Sequence, residues 1–99
     1  MYASIRQYKT KSPTEVADRV KDFLPIIKKE PGFIAYYAID TGKNTVASVS
    51  VFETETGAEE SNEVAAKWVR KNLSSLLDEP RIAVGNVLAH KVLTTETAR

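Results

Sequence analysis

Two side chains on the second predicted helix are the residues whose chemistry could best serve a small-molecule site. Asn62 falls near the middle of the face that the helical periodicity assigns to the core, among the small residues Ala58 and Ala65. A buried amide without a partner costs about 1–3 kcal/mol, so Asn62 must bond to the protein, to water or to a ligand. Trp68 falls on the flank of the same helix, where its indole could cover a cavity and stack on a flat substrate. Each residue also has a purely structural interpretation. In that interpretation Asn62 is an amide whose hydrogen bonds are made within its helix or to the adjacent loop, and Trp68 is an indole that closes the edge of the core or a dimer interface.

Four residues on the predicted strands are further pocket candidates. Tyr36 and Tyr37 are neighbours, so they point to opposite faces of the sheet, and the one that faces the helices could bind a phenol or transfer a proton. Arg6 could hold an anionic or enolate oxygen if it points inward, the alternative being an arginine in solvent. His90 is the only histidine, and its place near the end of the last strand favours the rim or surface over a catalytic base. The sequence assigns no catalytic residue.

The composition excludes several kinds of site and partner. The 99 residues contain no cysteine, which removes disulfides, thiolate metal sites and thiol nucleophiles. A net charge of +1 gives no long-range field toward nucleic acid or an anionic membrane. No apolar run is long enough to span a bilayer and no secretory signal is recognisable. We therefore expect no metal, no nucleic-acid or membrane partner, and a cytoplasmic location.

The elements that must position these residues follow in the order strand, helix, strand, strand, helix, strand. Period-two patterns predict strands over 2–9, 33–40, 45–53 and 82–92, the middle two joined by a hairpin turn at 41–44. This order predicts an α+β, ferredoxin-like split β-α-β domain with a four-stranded antiparallel sheet and two helices on one face. The domain is expected to span 1–93, and the polar residues 94–99 are expected to form a tail.

Local signals set the bounds of the two helices. Ser12 and Thr56 each open an S/T-x-x-E capping box, and the second helix is predicted to run from Thr56 to about Leu77. Pro31-Gly32 ends the first helix. Pro25 projects to the solvent side, which predicts one kinked helix rather than two.

The strands are apolar on both faces, which bears on assembly. Residues 33–39 and 82–89 are nearly continuous in apolar or aromatic side chains. The helices can cover only one face of the sheet, and a large exposed apolar face marks an association surface. The sequence therefore predicts a homodimer packed through the sheet face, the alternative being a monomer whose Tyr and Ala side chains tolerate water.

Three segments together carry a resemblance to a known superfamily: Pro31 to Tyr37 after the first helix, Ser48 to Glu53 in the third strand, and Ala65 to Arg70 in the second helix. Over about residues 2–90 the chain resembles the dimeric α/β-barrel superfamily that includes the antibiotic biosynthesis monooxygenases. The resemblance implies a face-to-face dimer with a small cavity in each subunit between sheet and helices. Some members oxidise quinol-like or polycyclic aromatic substrates with oxygen and no cofactor, and others degrade haem.

The haem-degrading branch matches this chain least. That branch uses an Asn on the first strand, a Trp on the second helix and a His about ten residues later, and only Trp68 matches. Ser4, Arg6 and Gln7 stand on the first strand, and the position ten beyond Trp68 is Asp78. The function that the sequence favours is a cofactor-independent monooxygenase that acts on a quinol-like or polycyclic aromatic small molecule. The alternative is a non-catalytic dimer that binds a small ligand or serves as an interaction module. Haem degradation is a third, less favoured hypothesis.

Overall fold

Helices cover one face of an antiparallel sheet whose strand order is β2-β3-β1-β4. The computed structural model describes residues 1–93, and the predicted tail lies outside them. Its elements are β1 (Tyr2–Lys9), α1 (Pro13–Val20), a 3-10 turn (Lys21–Phe23), α2 (Leu24–Ile27), β2 (Phe33–Gly42), β3 (Thr45–Phe52), α3 (Glu55–Asn72) and β4 (Arg81–Asn86). The predicted ferredoxin-like architecture is confirmed.

The register of the two inner strands decides which side chains meet the helices. On β1, Ser4, Arg6 and Tyr8 are buried, while Ile5 between them is 44% exposed. In the antiparallel pairing Arg6 lies opposite Ser48 of β3, and side chains of directly opposed residues share a face. One row of the sheet therefore carries polar groups into the space between sheet and helices.

The first helical region departs from its predicted form in two ways. Pro25 has no N–H to donate to the Lys21 carbonyl, and the N–H of Leu24 bonds that carbonyl instead. The result is α1, a 3-10 turn and α2 in succession, so the prediction of one kinked helix is wrong in detail. The capping box at Ser12 is also wrong, because Ser12 makes no side-chain cap bond and Glu15 pairs with Arg19 at 3.2 Å.

The ends of α3 and β4 differ from prediction for local reasons. Thr54, not Thr56, caps α3, because its hydroxyl accepts the N–H of Gly57 at 3.0 Å. The helix ends at Asn72 and not at about Leu77, and the chain continues in a turn. β4 stops at Asn86 rather than at residue 92, because Asn86 pairs with the first residue of β1 and the neighbouring strand goes no further.

Two hydrophobic clusters hold the helices on the sheet. Their buried members are Phe23, Ile27, Phe52, Ala58 and Ala65 in one, and Tyr8, Val16, Val46 and Leu73 in the other. Trp68 of α3 packs against both clusters, so its indole lies between them. Within the described residues, no helix is long and apolar enough to cross a membrane.

The second face of the sheet is open and apolar. Ile5, Tyr37 and Ile39 on this face are 44%, 57% and 43% exposed. Tyr37 lies opposite Val49, which lies opposite Ile5, so the three side chains form one row across three strands. Large apolar side chains in a contiguous exposed row are typical of an association surface.

Candidate functional site

A buried arginine at the centre of β1 is the polar group around which the candidate site is built. Arg6 is 1% exposed, and its guanidinium points from the sheet toward α3. Nε donates to Ser48 Oγ at 3.1 Å, Nη1 to Asn62 Oδ1 at 2.7 Å, and Nη2 to Ser50 Oγ at 2.5 Å. Longer contacts of 3.4 Å join Nη1 to the hydroxyls of Ser4 and Ser61. Two strands and one helix therefore converge on a single cation.

The partners of Arg6 are all neutral. Among the described residues, the ion pair found is Glu15 with Arg19 on the surface of α1, and no carboxylate lies within ion-pair distance of Arg6. Burial lowers the pKa of the Arg6 guanidinium, and the neighbouring Tyr8 and Tyr36 oppose that shift. A guanidinium still keeps its proton in proteins at neutral pH. Arg6 is therefore a buried positive charge that hydrogen bonds satisfy and no negative charge balances.

The serine hydroxyls and Asn62 around Arg6 hold one another in place. Ser61 donates to the Ala58 carbonyl at 2.6 Å, which leaves its oxygen lone pairs free to face Arg6. Ser4 donates to Asn62 Oδ1 at 2.5 Å, so that oxygen accepts from both Ser4 and Arg6. Such mutual bonds fix the orientation of the guanidinium before any ligand arrives.

A cavity of about 450 Å³ lies against Arg6, between the sheet and the helices. Arg6, Tyr8, Tyr36 and Ser48 supply its polar lining from the strands. The remaining walls are mostly apolar and include Val16, Val20, Phe23, Val46, Ala65, Trp68, Val69 and Leu73. The exposed lining residues come from α1, the 3-10 turn, α2 and β2, which places the mouth at the β2 edge. This volume and lining are typical of a site for one small organic molecule.

The aromatic residues of the cavity contact one another. Phe23 and Trp68 have ring centroids 5.2 Å apart with a tilt of 42°, and Phe23 and Tyr36 meet edge to face at 5.5 Å. Both arrangements fall in the range of favourable aromatic pairs. The aromatic side of the cavity is consequently held in shape by packing, and Trp68 presents a flat surface that is half buried.

Tyr8 and Tyr36 bring two phenols to the neighbourhood of Arg6. Burial raises the pKa of each, and the positive charge of Arg6 acts in the opposite direction on both. A hydrogen bond with Ser48 also acts to lower the pKa of Tyr36. Because the net shift is upward, both phenols are protonated at neutral pH and can donate hydrogen bonds to a ligand oxygen. Within residues 1–93, no group of three or more His, Asp or Glu is placed to hold a metal ion.

The comparisons with known proteins give a fold. No protein-family profile matches the sequence, and no curated protein matches it. Among solved structures, NE2512, a protein of unknown function from Nitrosomonas europaea, is similar at 26% identity with a TM-score of 0.78, covering 94% of each chain. SnoaB, a cofactor-independent oxygenase from Streptomyces nogalater, is similar at 10% identity and TM-score 0.71, over 90% of this chain and 94% of that one. The haem degrader MhuD from Mycobacterium tuberculosis, with two haems in its active site, is similar at 12% identity and TM-score 0.73, over 93% and 100%.

The chain has a ferredoxin-like fold, which it shares with these solved structures. The resemblance that the residues suggested is thus confirmed at the level of the fold. The cavity against Arg6 lies between sheet and helices, which is where the resemblance implies a site.

The structure brings some of the predicted site residues to this cavity. Arg6, Tyr36 and Trp68 line it. Tyr36 is the inward member of its pair, and Tyr37 borders the cavity from the strand edge while its side chain is 57% exposed on the opposite face. Asn62 lies behind the guanidinium as a partner of Arg6 and is not among the residues that line the cavity.

The structure differs from the sequence prediction at His90 and at several residues around Arg6. His90 is exposed in the segment after β4, away from the cavity lining that the structure describes. The residues that sequence reasoning missed are Tyr8, Ser4, Ser48, Ser50 and Ser61. A period-two reading of the first strand from Arg6 would have found Ser4 and Tyr8 on the same face. Ser61 of α3 is fully buried.

Proposed function

We propose that the protein is a cofactor-independent monooxygenase that acts on a quinol-like or polycyclic aromatic small molecule in the Arg6 cavity. The observation that carries the proposal is an apolar cavity, walled by Phe23 and Trp68, that has an unbalanced buried cation in its lining. A flat aromatic ring fits the walls, and an oxygen substituent of that ring fits the guanidinium. The oxygenase SnoaB, which has the same fold, supports the reaction class.

The reaction needs a substrate that can itself supply electrons to oxygen. An anthrone is such a compound, because loss of a ring C–H proton gives an enolate whose negative charge rests on oxygen. Arg6 stabilises that oxyanion in a site removed from water, where a fixed charge acts most strongly. The CH2 group then becomes a ketone that carries one oxygen atom of O2, and the other oxygen atom leaves as water with the two hydrogens. The atoms and electrons of this reaction balance with the substrate and O2 alone, so no external reductant is needed.

The same proposal includes a homodimer. The row of Ile5, Val49 and Tyr37 on the open sheet face, with the neighbouring Ile39, is covered by the same surface of a second copy. A two-fold axis brings identical apolar patches together, which makes such a surface self-complementary. The cavity lies on the helix side of the sheet, so each subunit keeps a site of its own.

Oxygen consumption tests the function directly. With 1,8-dihydroxyanthrone as substrate, the wild-type protein is expected to raise oxygen uptake above the uncatalysed rate, with one O2 used for each quinone formed. Trp68→Phe and Asn62→Ala are both expected to lower that rate, the first by removing stacking surface and the second by loosening Arg6. Asn72→Ala is the matched control, because Asn72 is an exposed amide on the same helix whose side chain bonds only a backbone carbonyl.

The outcome separates the candidate functions. Uptake that is unchanged in both Trp68→Phe and Asn62→Ala would show that the site is wrong. Binding of the anthrone without oxygen uptake would favour the non-catalytic ligand-binding dimer. A strong visible band on haem titration would favour haem chemistry, for which MhuD shows that the fold is suitable.

A further inference from the structure

We infer that the Arg6 cavity selects organic anions: flat, apolar molecules that carry one negatively charged oxygen group and bind with that group against Arg6. This inference names the ligand class for the proposed site and rests on the proposed function for the choice of that cavity. It predicts discrimination by charge, which the reaction class alone does not require.

The charge balance inside the protein leads to this inference. Removing a cation from water costs several kcal/mol, and buried arginines normally recover it by pairing with a carboxylate. Arg6 instead has four serine hydroxyls, one amide and the phenols of Tyr8 and Tyr36, none of which carries charge. Neutral acceptors orient the guanidinium and leave its charge available. A ligand that brings a negative charge completes the pair that the protein lacks.

The surroundings of Arg6 in the cavity favour an acceptor over a donor. Tyr8 and Tyr36 lie beside the guanidinium, and both are protonated phenols that can donate. Nη2 donates to Ser50, and the guanidinium also hydrogen-bonds the phenol oxygens of Tyr8 and Tyr36, whose own O–H groups are donors. The cavity end therefore presents several donors and a net positive charge. A carboxylate or an enolate accepts hydrogen bonds from these donors and neutralises the positive charge. A neutral amide accepts more weakly and brings no negative charge.

The rest of the cavity adds no competing charge preference. The charged residues in its lining other than Arg6 are Lys21 and Asp40, which are both exposed and of opposite sign. Exposed charges of opposite sign largely cancel and are screened by salt. The selectivity for anions is consequently a property of Arg6, and it can be tested at that residue and its partners.

Two probes of nearly identical shape test the inference. 2-Naphthoate is a flat aromatic anion, and 2-naphthamide is its neutral counterpart of almost the same size. Isothermal titration calorimetry with the wild-type chain at pH 7 is expected to show naphthoate binding at least about tenfold more tightly than naphthamide, as a charge-assisted pair requires. Equal affinity for both probes, or no binding of either, would overturn the inference.

Three variants locate the preference. Asn62→Asp places a carboxylate where an amide oxygen now accepts from Arg6 at 2.7 Å, so it supplies the missing counter-charge from within the protein. It is expected to abolish the preference for naphthoate over naphthamide, in a protein that keeps Arg6 and its packing. Arg6→Met is expected to lose the preference too, if it folds. Arg70→Met, at an exposed position on α3, is the control that retains it.

The results separate this inference from the proposed function. A preference for naphthoate that survives Asn62→Asp would overturn the anion site, whatever the oxygen uptake with anthrone. A preference that Asn62→Asp abolishes, together with no oxygen uptake, would sustain the anion site and refute the monooxygenase.

Discussion

Arg6 on β1 donates a hydrogen bond of 2.7 Å to Asn62 on α3, so the polar centre of the sheet is tied to the helix that covers it. Asn62 Oδ1 also accepts from Ser4. Asn62 therefore sets the position of the guanidinium and, through the helix, the position of Trp68 relative to it. Substitutions at these residues should affect the stability of the fold and the geometry of the cavity together.

The bond between Arg6 and Asn62 predicts opposite effects for two substitutions of the amide. Asn62→Ala removes an acceptor from a buried cation and should lower the free energy of unfolding by about 1–3 kcal/mol. Asn62→Asp supplies a counter-charge and should unfold at a clearly higher urea concentration than Asn62→Ala. Urea denaturation at pH 7 followed by circular dichroism measures both. An Asn62→Asp variant less stable than Asn62→Ala would show that Arg6 is not in need of a negative partner.

The serine hydroxyls around Arg6 should contribute to stability out of proportion to their size. Ser50 is fully buried and accepts from Nη2 at 2.5 Å. Ser50→Ala leaves that donor without its acceptor, so we expect a loss of about 1–3 kcal/mol in urea denaturation. Ser74→Ala, at an exposed position in the turn after α3, is the matched control and should stay within about 0.5 kcal/mol of wild type. Equal, small effects of the two would mean that Arg6 finds other partners.

The raised pKa values of Tyr8 and Tyr36 predict a loss of stability at alkaline pH. A phenol in the unfolded chain loses its proton near pH 10, while burial makes both phenols hold theirs to higher pH in the folded protein. Their contribution is therefore complete below about pH 10 and is lost as the pH rises through the folded-state values.

Urea denaturation at pH 8 and at pH 11 measures this effect. Wild type should lose stability between the two, and the double variant Tyr8→Phe, Tyr36→Phe should lose less because it has no phenol to ionise at these positions. The comparison at pH 8 corrects for packing differences between the proteins. A double variant that loses as much as wild type would contradict the assignment of these phenols as buried and protonated.

The open face of the sheet predicts a dimer that one charge on that face can break. Wild type should sediment at about 22 kDa, twice the chain mass of 11.0 kDa. Tyr37→Glu places a carboxylate in the row with Ile5 and should shift the protein to the monomer in sedimentation equilibrium. Ile26→Glu, which is exposed on α2 instead, should remain dimeric. Dissociation by Ile26→Glu and not by Tyr37→Glu would place the interface on the helix side.

Local and periodic signals predicted the architecture, and contacts between distant segments account for most of what they missed. Because side chains alternate along a strand, knowing that one residue of β1 faces the helices fixes which of the others do. The same alternation makes the neighbours Tyr36 and Tyr37 point to opposite faces of the sheet. Sequence offers no such rule for Arg6 and Asn62, which are 56 positions apart, since their contact depends on how α3 is rotated over the sheet. The burial of Arg6 could not be anticipated from statistics, because arginine is rarely buried without a partner.

The errors at element ends have a common physical cause. Thr54 accepts the N–H of Gly57, and the predicted cap is the threonine two residues later; because threonine is a favoured cap residue at either position, the local sequence does not decide between them. The extent of β4 depended on where β1 begins, which is information from another part of the chain. Such boundaries follow from tertiary pairing rather than from the residues at the boundary itself.

A crystal structure of the protein with 1,8-dihydroxyanthrone, prepared without oxygen, would show whether Arg6 binds the substrate oxygen. We expect the ring system against Trp68 and Phe23, with one ligand oxygen about 3 Å from the Arg6 guanidinium, the distance of a charge-assisted hydrogen bond. An anthrone bound elsewhere, or bound in this cavity with its oxygens turned away from Arg6, would contradict it.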